Sequence, residues 1–191
     1  MSFNNVITSN DPQAVEKLEQ NIKSIEDRIL YMQTVNDFYK QNGTTMGCPG
    51  VPYESAPTLD ARVTGGQTTP YPGSFFMENR REIERLKGVA DRIRNHPETV
   101  FKGWKFEGGE AVVNLANNRL QLMFNERPSD EQIAVLKQNY FKWAPKSKAW
   151  QRSLSHQTMS LADKVPFIKT LDGRKPTDIQ PKAPKRTEPE R

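Results

Sequence analysis

A chain of 191 residues, 35% of them hydrophobic and 27% charged, is thin for one large core and suits small, well-solvated substructures. The single Cys48 excludes an internal disulfide, no Cys/His spacing suits a zinc site, and no run of about eighteen apolar residues offers a membrane-spanning helix. The net charge of +5 is unevenly spread, because Lys137, Lys142, Lys146, Lys148 and Arg152 have no acidic residue among them.

The opening "MSFNNVITSND" lacks a basic segment followed by an apolar one, so a cytoplasmic protein is expected, with no secretion signal and no membrane partner. From Asp11 to about Gln41 the pattern predicts one long helix, with Asn10 or Asp11 as cap and Pro12 in the first turn. Val15, Leu18, Ile22, Ile25, Ile29, Met32 and Tyr39 form a heptad seam interrupted by the polar Asn36. A second amphipathic helix over 75–94 places Phe76, Ile83, Leu86, Ala90 and Ile93 on one face. Two such faces predict an antiparallel helical hairpin, and the seam also suits a homodimer through the N-terminal helix. Glu16, Glu19, Glu26 and Asp27 on the first helix read as phosphate mimics or as a solvated face.

Between the helices, 42–74 is rich in Gly, Pro and Thr and longer than two packed helices need. It reads as a tether or as a functional loop, and the compact "MGCPGVPY" favours local turns packed on the hairpin. Cys48 has no His beside it in sequence and is expected to be an inert small residue rather than a nucleophile.

After His96-Pro97 the period changes from 3.6 to 2. Strands are predicted at 103–107, 110–115 and 119–124, joined by turns at Gly108-Gly109 and "ANN", as a meander with one apolar and one wet side. Ser129 with Gln132 has the capping-box spacing and opens a helix expected to cover the apolar side. The fold class is therefore α+β: residues 1–97 a helical hairpin, 98–171 a small antiparallel sheet module with one covering helix, and 172–191 a disordered, basic, Pro-rich tail.

Residues 140–154, "YFKWAPKSKAWQRSL", predict a hairpin closing this module, with Pro145 in the turn. Across a short turn Trp143 and Trp150 become a cross-strand pair, Lys142 and Gln151 point to the opposite face, and Lys146 and Lys148 crown the tip. The candidate binding residues are Lys142, Trp143, Lys146, Lys148, Trp150 and Arg152, because cations neutralise phosphates while aromatic rings stack on bases. The same tryptophans also read as a buried clasp beneath an ordinary lysine-rich turn. No Walker-type loop, HExxH motif or nucleophile-base pair is present, so neither an enzyme nor a cofactor or metal site is expected.

Leu120, Leu122, Phe124, Asn125, Glu126, Pro128, Phe141, Lys142, Trp143, Pro145, Lys148, Ala149, Trp150, Gln151 and Arg152 together carry a resemblance. Over 119–154 the chain resembles a C-terminal module of small phage-, plasmid- and integrative-element-borne proteins, a group that includes type II-A anti-CRISPR proteins. Tyr140 departs from it, standing where that pattern often has Gly. The resemblance implies a mobile-element accessory protein that acts by binding: an inhibitor of bacterial DNA-targeting defence such as a Cas9 inhibitor, with a host nuclease or its nucleic-acid complex as partner. The alternative is a protein of phage or plasmid replication and maintenance that binds DNA or RNA directly.

Overall fold

The computed structural model describes residues 6–64 and 66–183 and has the α+β class. Two compact units divide the chain, one of Glu16–Gly88 and one joining Met1–Val15 to Val89–Arg191. The division falls inside the two long helices rather than at 97/98, and the N-terminal segment belongs with the sheet. The backbone N–H of Leu115 donates to the Ile7 carbonyl at 2.8 Å, and Ile7 is fully buried.

In the helical unit, α1 (Ala14–Asn42) and α3 (Gly73–Asn95) supply the apolar stripes. Leu18, Ile22, Ile25 and Met32 of the heptad seam are buried within the chain, as are Ile83 and Leu86 of α3. Asn36, the polar interruption, is buried too. Its Nδ2 donates to the Tyr71 carbonyl at 2.8 Å and its Oδ1 accepts from the Tyr71 N–H at 3.0 Å. A side-chain amide thus satisfies both backbone groups of a residue 35 positions away, which is what permits a polar group at that depth.

The long connection is folded onto this helix. It contains a 3-10 turn at Tyr53–Ser55 and the short α2 (Ala56–Asp60). Val35, Cys48 and Leu59 form a buried cluster, against which Tyr31, Phe38, Val51 and Tyr71 pack. Asp60 fastens the far end: its carboxylate accepts from Thr44 Oγ1 at 2.6 Å and from the Thr45 N–H at 2.8 Å. Burial alone would raise its pKa, but the hydrogen bonds from Thr44 and Thr45 prevail and hold it below the usual carboxylate value.

The second unit is built on a five-stranded antiparallel sheet in the order β1-β2-β3-β5-β4, with β1 Trp104–Phe106, β2 Gly109–Asn114, β3 Arg119–Phe124, β4 Lys142–Ala144 and β5 Ala149–Ser153. The register pairs Trp104 with Ala111, Ala111 with Leu122, Leu122 with Trp150 and Trp150 with Trp143. Alternation of side chains along each strand then puts Trp104, Phe106, Val113, Leu120, Leu122, Phe124 and both hairpin tryptophans on one face. The first turn is Glu107-Gly108, with Gly108 left-handed at φ 82°. Gly109 opens β2 instead, where a Cβ would strike the Met123 carbonyl oxygen and the Phe106 ring.

Helix α4 (Asp130–Gln138) carries the expected capping box, with Ser129 Oγ accepting from the Gln132 N–H at 3.2 Å and Gln132 Oε1 from the Ser129 N–H at 3.0 Å. It shares the apolar face with the segment that follows α5 (His156–Ala162). Trp104 Nε1 donates to the Ile168 carbonyl at 2.7 Å, and the Phe167 ring lies 6.2 Å from that of Phe124.

The opposite face is wet at its borders, where Lys105, Glu110, Lys142 and Ser153 are exposed, but not at its centre, which departs from the expectation of a wet side. Asn114 and Gln121 are buried there, and a row of amides crosses three strands: Asn114 Nδ2 donates to Gln121 Oε1 at 3.3 Å, and Gln121 Nε2 to Gln151 Oε1 at 3.1 Å. Mutual hydrogen bonding satisfies them.

The disorder expected from Asp172 does not hold for 172–180. Pro176–Ile179 form a 3-10 turn with Pro176 buried, Thr177 bonds Asp163 through both its N–H and its hydroxyl, and Gln180 bonds both backbone groups of Lys102. The basic, Pro-rich residues 184–191 lie outside the described residues.

Candidate functional site

The hairpin that carries the candidate residues is positioned from both sides. On one side β5 is hydrogen-bonded into the sheet against β3; on the other, Phe141 is fully buried and its N–H donates to the Leu136 carbonyl at the end of α4, at 3.0 Å. The tip is a four-residue turn between the paired Ala144 and Ala149, with Ser147 N–H bonded to the Ala144 carbonyl and Lys148 left-handed at φ 49°.

Trp143 and Trp150 are directly paired, their ring centroids 5.9 Å apart and tilted by 56°. They are not equivalent. Trp150 lies on the inner strand and is 6% exposed, whereas Trp143 lies on the edge strand and is 50% exposed. The clasp and the stacking surface, alternatives in the sequence, are thus divided between the two rings.

The exposed ring forms part of a groove of about 740 Å³ bounded by 125–128, α4 and the hairpin tip. Phe124, Ile133 and Trp150 supply apolar lining, and Arg127, Lys137 and Lys148 bring positive charge beside Trp143. Glu126 and Asp130 line the same groove, Asp130 lying 3.6 Å from Arg127 as a solvent-exposed pair that contributes little to stability. The groove can therefore hold a flat apolar group against an indole while cations meet an attached anion.

Of the six residues expected, Trp143, Lys148 and Trp150 come together here. Lys142, opposite Gln151, points to the other face and lines a second recess with Arg152. Lys146 is exposed at the tip and lines neither. Arg127 and Tyr140 were not anticipated as site residues: Arg127 sits in the link before α4, where a charge signals only exposure, and the backbone of Tyr140 has no signal in a tyrosine. Cys48 lies in the other unit, buried, with its thiol pushed up by that burial, which makes it a poor nucleophile. Among the described residues no three His, Cys, Asp or Glu side chains gather as a metal site, and no helix is long and apolar enough to cross a membrane.

Compared with family models, curated proteins and solved structures, the chain matches none.

Proposed function

We propose that this protein acts by binding rather than by catalysis, and that its ligand is single-stranded nucleic acid held along the β4–β5 hairpin. The observation that carries this reading is the half-exposed Trp143 ring in a groove with Arg127, Lys137 and Lys148. A base of any identity stacks on such a ring, and each neutralised phosphate releases counterions. Together with the mobile-element resemblance, this describes an accessory protein that handles exposed strands of DNA or RNA.

Fluorescence anisotropy with an oligothymidylate tests the reading. Binding is expected to weaken steeply between 50 and 200 mM salt and about tenfold on Trp143→Ala, a loss within the range for one stacked base. No binding at high protein concentration, or a Trp143→Ala variant that binds as the parent does, overturns it.

A second reading is favoured by Glu126 and Asp130, whose carboxylates give the groove the mixed charge of a protein-docking surface. On it the protein is an inhibitor that docks on a host defence nuclease, as the resemblance implies. Co-precipitation with Cas9-guide complexes and loss of target cleavage support this second reading; undiminished cleavage at excess protein rejects Cas9 as the target.

A further inference from the structure

The chain enters the hairpin by an unusual backbone step. Tyr140 adopts φ 63°, in the left-handed region, between the end of α4 and the buried Phe141. Strand β4 begins only at Lys142, whereas β5 continues to Ser153. Arg152 and Ser153 are therefore paired with β3 on one side and have no β4 partner on the other.

That uncovered edge opens a recess of about 410 Å³, separate in its lining from the tryptophan groove. Arg119, Lys142 and Arg152 line it together with Tyr140, Gln151 and Ser155, and among the described residues no acidic side chain does. Three cations around one recess repel one another unless an anion lies among them.

Two of the three are held in place. Arg152 donates through Nε to Thr158 Oγ1 at 3.2 Å and through Nη1 to the Tyr140 carbonyl at 3.4 Å, and its guanidinium carbon lies 5.3 Å from the centre of the Tyr140 ring. Arg119 donates through Nη1 to Ser153 Oγ at 2.5 Å. Each guanidinium carries five N–H donors, so both keep donors for a ligand, in the planar geometry that suits phosphate oxygens. The Tyr140 ring is 65% exposed beside them. Glycine takes this backbone freely and tyrosine does so at a cost, and the one ring contact the structure gives in return is with Arg152, itself a residue of the recess.

We infer that this recess is a phosphate-binding pocket, in which Arg119, Lys142 and Arg152 hold one phosphate of a single-stranded nucleic acid while the Tyr140 ring stacks on a neighbouring base. The choice of nucleic acid rests on the proposed function; the preference for a phosphate rests on the pocket alone. With Trp143 on the same short strand as Lys142, the hairpin then grips a strand at two points.

Two probes separate these dependences: thymidine 5′-monophosphate against thymidine, followed by amide and ring chemical shifts, and an oligothymidylate without terminal phosphates, followed by anisotropy. The nucleotide, but not the nucleoside, is expected to shift Arg119, Tyr140 and Arg152, and Lys142→Gln or Arg119→Gln is expected to abolish the shifts. Each of these substitutions should also lower the magnitude of the oligonucleotide's salt slope by about 0.7, the value for one phosphate on a single strand. Tyr140→Gly should weaken oligonucleotide binding severalfold while leaving Tm unchanged or higher, an outcome that a purely structural tyrosine would not give. Nucleotide shifts without oligonucleotide binding keep the phosphate pocket and remove the strand. Oligonucleotide binding that is lost in Trp143→Ala yet unaltered in Arg119→Gln and Lys142→Gln overturns the pocket and keeps the proposed function. Absence of both signals overturns both.

Discussion

The connection between the helices and the hairpin at 140–153 are both irregular in sequence and rich in polar groups, yet they use those groups in opposite directions. In the connection, Asn36 closes on the Tyr71 backbone and Asp60 on Thr44 and Thr45, so polar atoms turn inward and tie down the chain. In the hairpin, apolar contacts and the sheet ladder do the tying, and Lys142, Lys146 and Lys148 are left exposed. A polar group fully satisfied within its own chain serves the fold; a cation with donors to spare and no opposite charge beside it is available to an anion.

Substitution of Trp150 tests the contrast from within the hairpin and should have the largest effect. Trp150→Ala should cost about 3–5 kcal/mol in urea unfolding, as large-to-small changes of buried aromatics do, whereas Trp143→Ala should cost under about 1 kcal/mol because half of the ring is already in water. Equal losses would mean that the two rings share one job. Next in size is Asn36→Ala, which strands both backbone groups of Tyr71 and should cost about 2–3 kcal/mol without altering oligonucleotide affinity.

Acid should sharpen the same contrast. Asp60 has a lowered pKa in the folded state, so its contribution is fully present above the unfolded value of about 3.9 and is lost as pH falls through the folded one. Asp60→Asn should therefore flatten the fall in stability below about pH 4, read from urea midpoints at pH 5 and pH 3; a parallel fall in both proteins would refute the assignment. The smallest effects belong to exposed positions. Ser129→Ala removes one cap for about 1 kcal/mol, and Lys146→Gln, at the tip and outside both recesses, should leave stability within about 0.5 kcal/mol.

What could be read in advance was local. Ser129 and Gln132 are three residues apart, so their reciprocal bonds follow from spacing, and a four-residue turn places Trp143 opposite Trp150 with no knowledge of the remaining fold. Asn36 was legible only as an interruption, because the group it serves is 35 residues away. Gln121 falls on the side expected to be wet, because alternation marks polar residues as outward and cannot show that Asn114 and Gln151 lie at hand. That Lys142 turns away from the tryptophans follows from the pleat, but that Arg119 and Arg152 join it in one recess does not, because Arg119 comes from another strand and Arg152 from the edge left uncovered by β4. The left-handed Tyr140 is the least legible of all from its own side chain, its one signal being the Gly that the resembled pattern often has there.

The strand order also governs whether this protein adds to itself. Both outer strands of the sheet, β1 and β4, are three residues long, too short to template another chain's strand over any length. Ahead of β1, the Gln180 side chain accepts from the Lys102 N–H and donates to its carbonyl, each at 2.8 Å, and so occupies the backbone groups that an incoming strand would use. At the other border, the left-handed Tyr140 before β4 and Pro145 after it stop the ladder at either end. A sheet finished in this way resists edge-to-edge polymerisation, and it can carry an exposed tryptophan at its border without that ring becoming the seed of an aggregate.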